Sequence, residues 1–201
     1  LSAPRSMIFA YDEFVAIRWW DTDFPGLWRQ ESSTALDLLA VAAAEEGYVT
    51  ALCKAFDDAE VDKYHSVGGP KFAALLSLAY RQAYSSTKLA WNTAKQTHWQ
   101  FLNEISTSGD LNTMDVVYPA STLYVYQSPD LAYRLLIPTL EYAANGTNVS
   151  YNLSWCPHHL GKYPVGYILP SHQEHMPVEE TANMQLILAA IARRRGNRTD
   201  F

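Results

Sequence analysis

Charge is scarce in this chain. Asp, Glu, Lys and Arg make up only 18% of its 201 residues, against about a quarter in an ordinary globular domain. Little charge means little solvated surface per residue, so the chain is expected to pack against further protein. Basic residues are the scarcer sign, 15 Lys and Arg against 21 Asp and Glu, which leaves a net charge of −6. With no basic face to offer, nucleic acid is excluded as a partner. The basic run Arg193–Arg195 closes a predicted helix, where it complements the dipole. Cysteine is equally sparse. Cys53 and Cys156 are far apart and match no metal-binding spacing; they read as a pair or, preferably, as two buried thiols. No apolar run of membrane-spanning length and no signal peptide is present, so no membrane partner is expected, and the chain reads as an internal piece of a longer protein. A Gly-x-Ser-x-Gly elbow and a Ser-x-x-Lys pattern are both missing, which leaves no identifiable nucleophile.

What is abundant is apolar and aromatic. Hydrophobic residues make up 48% and aromatics 13%, enough for a large core. Four Asn-x-Ser/Thr sequons begin at Asn145, Asn148, Asn152 and Asn197. Three of them crowd into one predicted loop, a pattern that points to a secreted, extracellular glycoprotein.

Residues 1–31 read as an extended aromatic opening segment, and residues 32–201 as a helical domain. Short β-prone runs (Ile8–Tyr11, Phe14–Ile17) are followed by turn residues from Asp21 to Gly26. Ser32 to Thr34, with Asp37 three residues on, cap a long helix running to about Tyr64. Asp57, Asp58, Glu60 and Asp62 look like a metal cluster but point to different sides of that helix, a solvated face. Gly68-Gly69-Pro70 breaks it and opens a second helix predicted to end near Ala94. On this helix Arg81, Ser85 and Lys88 share a face. Gln100–Leu102 suggests a short strand. Further helices are predicted over 120–126, 129–144 and 178–194, the last apolar on all sides and therefore buried. Between the last two lies a loop of about thirty residues, too aromatic for disorder and long enough to be functional.

Four motifs carry a resemblance. Leu78-Ala79-Tyr80-Arg81-Gln82-Ala83, Met114-Asp115-Val116-Val117-Tyr118-Pro119, His158-x-Leu160-Gly161-x-Tyr163-Pro164 and Met176-Pro177-Val178-Glu179-Glu180-x-x-Asn183-Met184 resemble, in order and approximate spacing, the central domain of glutaminase A-like proteins. The resemblance implies an all-α fold, antiparallel helical hairpins of an (α/α)6 toroid like that of six-hairpin glycosidases. This chain would hold only its first part, with long loops gathered at one mouth. It also implies a secreted multi-domain amidohydrolase, whose remaining domains would be partners of this piece. Many members read His-Asp-Leu-Gly where this chain has His159.

Hydrolysing a side-chain amide requires an activated nucleophile or water, an oxyanion stabiliser and a proton for the leaving ammonia. Candidate catalytic acids are Asp115, Glu179 and Glu180. Both glutamates stand at a helix N-terminus, whose dipole favours their ionised form and suits a base or an ammonium clamp. Neighbours on a helix point about 100° apart, so one of them faces the cavity. Glu179, with Asn183 one turn on, is the first choice and Glu180 the alternate; helix capping is the plain alternative for both. Candidate binding residues are Arg81, Lys88, Tyr118, His158, Tyr163 and Asn183. His158 is expected chiefly to support the loop. His172 and His175 lie on a Pro-flanked loop, so neither a metal nor another cofactor is expected. The substrate is a small molecule, glutamine or a sugar. Two other readings fit the same residues: a carbohydrate-active hydrolase with Asp115 and a glutamate as acid and base, and a non-catalytic helical scaffold.

Overall fold

The structure, a computed structural model, describes residues 6–144 and 155–196. All four sequons lie outside that range. The described chain is mostly helical, but two β-hairpins join the helices, so the all-α expectation holds only in the coarser sense. The chain divides into two compact units, residues 1–14 with 28–82, and residues 15–27 with 83–201. The division does not follow the boundary expected after residue 31, because Val15–Leu27 belongs with the C-terminal half.

Most of the smaller unit is helix α1, Ala35–Ser85. It opens on the expected capping box. Thr34 N donates to Asp37 Oδ2 at 3.1 Å, and Asp37 N donates to Thr34 Oγ1 at 3.1 Å. The predicted break falls at Gly69, whose φ of 74° no helix accommodates; only glycine adopts it without strain. The arms on either side of Gly69 face each other, with the Phe56 and Tyr80 rings 5.6 Å apart. Of the acids from Asp57 to Asp62, Asp58 pairs with Lys54 on the solvated face, whereas Glu60, near Lys63, is partly buried. Cys53 is exposed rather than buried, and both cysteines are free thiols.

The larger unit holds β1 (Ile17–Trp19) and β2 (Thr22–Phe24), and a second hairpin of β3 (Thr87–Asn92) and β4 (Thr97–Leu102). The second helix was expected to run on to Ala94. It ends at Ser85 instead, and Lys88 lies on β3 opposite Phe101. The cause is local: Asn92 Oδ1 accepts the backbone N–H groups of Ala94 and Lys95 at 3.1 and 3.0 Å, an Asx turn that reverses the chain. The four strands bury an aromatic core around Trp19, Phe24, Trp99 and Phe101.

Three helices complete the unit: α2 (Met114–Gln127), α3 (Pro129–Ala144) and α4 (Pro177–Arg195). They pack on one another around Met114, Val117, Tyr124, Leu135, Ile187 and Ile191. α2 starts six residues before its predicted position at 120. Pro119 sits inside the helix, where it forgoes only the bond to the Asp115 carbonyl. α4 is not buried all round. Ile187 and Ile191 are covered, whereas Leu186 is 54% exposed, because α2 and α3 cover one face alone. No helix among the described residues is long and apolar enough to cross a membrane.

Candidate active site

Three segments distant in the chain meet in the larger unit. The backbone around residues 109–114 pairs antiparallel with the loop at 158–163. Met114 N donates to the His158 carbonyl at 2.8 Å, Leu160 N to Leu111 O at 2.8 Å, Leu111 N to Gly161 O at 2.7 Å and Tyr163 N to Gly109 O at 2.9 Å. This ribbon lays the histidine loop across the N-terminus of α2. Gly161 is required in it. Its φ is 124°, and a Cβ there would stand 2.5 Å from the carbonyl oxygens of Val165 and Tyr167. The third segment is the first turn of α4, tied to the same loop where Cys156 N donates to Thr181 Oγ1 at 3.1 Å.

The result is a cluster around one imidazole. His158 Nε2 lies 3.6 Å from Asp115 Oδ1 and 3.9 Å from Glu180 Oε1, and its Nδ1 lies 3.6 Å from Glu174 Oε2. Asp115 is accessible to solvent, its side chain 42% exposed, whereas Glu180 is wholly buried. Glu180 Oε2 accepts a hydrogen bond from Asn183 Nδ2 at 3.3 Å. Its Oε1 has no hydrogen-bond partner, and neither has His158 Nδ1. Burial, reinforced by the Asp115 charge and opposed by the Asn183 bond, pushes the Glu180 carboxyl above the usual carboxylate range. The helix dipole was expected to favour the ionised form; desolvation outweighs it.

The candidate residues divide by position. Asp115, His158, Glu180 and Asn183 come together. Glu179, the first choice among the acids, is exposed on α4 and lies outside the cluster. Of the two adjacent glutamates it is Glu180 that faces inward, and Asn183 accompanies it at a step of three rather than Glu179 at a step of four. The supporting role expected of His158 falls to its neighbour. His159 is buried, its Nδ1 accepts from Gly161 N at 3.2 Å, and its carbonyl accepts from Gln173 Nε2 at 2.6 Å. Burial holds the His159 imidazole below its ordinary range despite Asp110 at 3.7 Å.

Lys88 and Tyr163 meet each other. Lys88 Nζ donates to Tyr163 Oη at 3.1 Å and lies 5.0 Å from the ring centroid, while burial lowers the ammonium's pKa and raises the phenol's. Tyr118, one turn beyond Asp115, is 39% exposed. Arg81 belongs to the smaller unit, where it lines a cavity of about 510 Å³ between the arms of α1, with Phe56, Glu60 and Tyr80. His172 and His175 are exposed. Glu174 went unnoticed in the sequence; its only signal there is its position between those histidines on the long loop.

Three of the four sequence motifs each supply one member of this cluster: Asp115 from the second, His158 from the third, Glu180 from the fourth. The glutaminase A six helical-hairpin domain family matches residues 69–201, a stretch that contains all three. The chain belongs to this family. Among curated relatives of this six-hairpin domain, glutaminase A of Aspergillus oryzae is 30% identical over 175 residues, covering 86% of this chain and 25% of that protein. A probable glutaminase of Arthroderma benhamiae is 30% identical over 118 residues, covering 58% of this chain and 13% of that protein. The chain thus spans a quarter or less of the length of these relatives. No solved structure shows a significant match. The six-hairpin family fits the mostly helical architecture.

Proposed function

We propose that this chain is part of a hydrolase that converts L-glutamine and water to L-glutamate and ammonia, with the cluster of Asp115, His158 and Glu180 as its water-activating centre. The observation that carries the reading is the convergence of these three side chains, one from each of three motifs, in a chain whose named relatives are glutaminases. Amide hydrolysis needs a water held and deprotonated beside the substrate. The solvent-facing carboxylate of Asp115 and the inner groups of His158 and Glu180 bound a seat for such a water, open on one side and closed on the other. Lys88, with its ammonium beside the Tyr163 phenol, is the cation we assign to the substrate's carboxylate.

The carbohydrate reading in its inverting form is less well served. Asp115, His158 and Glu180 present ligand atoms within 4.8 Å of one another, short of the roughly 6.5–9.5 Å that inverting glycosidases leave between carboxyls for water, though near the roughly 5–5.5 Å of retaining ones. The sequon cluster supports secretion, and the family supports an (α/α)6 toroid completed by helices beyond this chain.

Ammonia release from L-glutamine by the protein, against Asp115→Asn and Glu180→Gln variants, tests the proposal. A fall of about 10²-fold or more is expected in each. Rates unchanged in both variants, or cleavage of an oligosaccharide without ammonia release, would overturn it.

A further inference from the structure

We infer that Asp115, His158 and Glu180 form a binding site for a divalent cation of the zinc type, held by three protein ligands with a fourth position open. The inference rests first on what the cluster lacks. His158 Nε2, Asp115 Oδ1 and Glu180 Oε1 face one another at 3.6 and 3.9 Å without a hydrogen bond between them. Ionised carboxylates only accept, and a neutral imidazole nitrogen turned toward them with its lone pair is a third acceptor. With both carboxylates ionised and the imidazole neutral, three acceptors converge here, an arrangement that a bound cation would stabilise. Glu180 makes the case sharper, since it is wholly buried with Oε1 unpartnered and turned toward this point. Buried carboxylates are paired or coordinate metals.

The spacing suits a small cation. Ligands about 2.0–2.2 Å from zinc in a tetrahedron stand roughly 3.3–3.6 Å apart; the two distances from His158 Nε2, 3.6 and 3.9 Å, come within a few tenths of an ångström of that, and all three ligand atoms lie within 4.8 Å of one another. Outer partners stand nearby, the first of them just beyond hydrogen-bond distance. A ligating histidine commonly gives its other ring N–H to a carboxylate, and His158 Nδ1 faces Glu174 Oε2 at 3.6 Å. Asn183 orients the second oxygen of Glu180. Two carboxylates balance a double positive charge, and an imidazole in the set selects zinc over magnesium or calcium. The exposed side of Asp115 leaves the fourth position to water, whose acidity the cation would raise. This last step deepens the hydrolytic reading and rests on it; the binding itself does not.

Calorimetric titration of the metal-stripped protein with Zn²⁺, Mn²⁺ and Mg²⁺, with circular dichroism to verify folding, tests the site. One Zn²⁺ per chain is expected, bound more tightly than Mn²⁺ and Mg²⁺. His158→Ala and Glu180→Gln should weaken it about 100-fold or more, and Glu174→Gln by about 10- to 100-fold. Glu179→Gln should leave it unchanged. If Glu180→Gln fails to fold, Asp115→Asn carries the test, because its side chain reaches solvent. Absence of zinc binding, or an affinity unchanged from the parent protein in both His158→Ala and Asp115→Asn, overturns the inference. Zinc bound at these residues without ammonia release would sustain the site and sink the glutaminase reading; ammonia release by chelated protein that takes up no zinc would do the reverse.

Discussion

Asn112 offers a severe test of how the larger unit is held together. Its side chain is buried and bridges two elements: Oδ1 accepts the backbone N–H of Leu102 at the end of β4 at 2.8 Å, and Nδ2 donates to the carbonyl of Leu135 on α3 at 2.9 Å. Its φ of 51° is left-handed, a conformation Asn tolerates better than most residues. Asn112→Ala leaves a buried donor and a buried acceptor unpaired at about 1–3 kcal/mol each, and adds about 1 kcal/mol for the left-handed backbone. The sum is about 3–7 kcal/mol, a large part of the roughly 5–15 kcal/mol that stabilises a domain. Asn112→Gly removes the backbone contribution and should be about 1 kcal/mol less damaging than alanine. Asn112→Asp keeps the bond from Leu102 but sets an oxygen against the Leu135 carbonyl, so it should not rescue. Urea denaturation followed by tryptophan fluorescence reads this unit directly, since Trp19, Trp20, Trp91, Trp99 and Trp155 lie in it and only Trp28 in the other. A loss below about 1 kcal/mol for alanine, or a glycine variant as stable as the parent, would refute the bridging account.

The two thiols should differ sharply. Cys53 is exposed, while Cys156 is buried with its thiol pushed well up by burial and then by the Glu180 charge, so a maleimide should label Cys53 in the native protein and Cys156 only after unfolding; prompt labelling of both would count against the packing described. His98 sets an acid limit. Burial, then the Arg134 charge, hold its imidazole below the ordinary value, so the unfolded chain takes up the proton first and stability is lost as pH falls from about 6.5 through the folded value. A His98→Gln variant should show a shallower loss of urea midpoint between about pH 7 and pH 5, and an identical slope would refute the assignment.

How much was legible in the sequence depended on how local the signal was. The start of α3 follows from Pro129, and the Thr34–Asp37 box and the Gly69 break are equally local. β3 was missed because nothing but Asn92 marks the turn between two runs that a helical stripe fits as well. At the site, Asp115, His158 and Glu180 were each recognisable as chemistry-bearing residues within motifs. Their meeting was not, because it depends on backbone pairing between segments separated by two helices. The choice between Glu179 and Glu180 was lost for a related reason: helix geometry says that one of two neighbours faces inward, and only the packing of α4 on α2 says which.

The ribbon joining residues 109–114 to 158–163 also bears on how the protein is made. During synthesis the first of these strands emerges well before the second, and domains form from the N-terminal side as the chain grows. Until the histidine loop arrives, the N–H groups of Leu111 and Met114 lack their partners, an open edge of the kind that invites pairing with another chain. A ribosome paused after α3 would therefore display α2 and α3 with one adhesive margin. The stretch that brings His158 to the cluster is the same one that seals it.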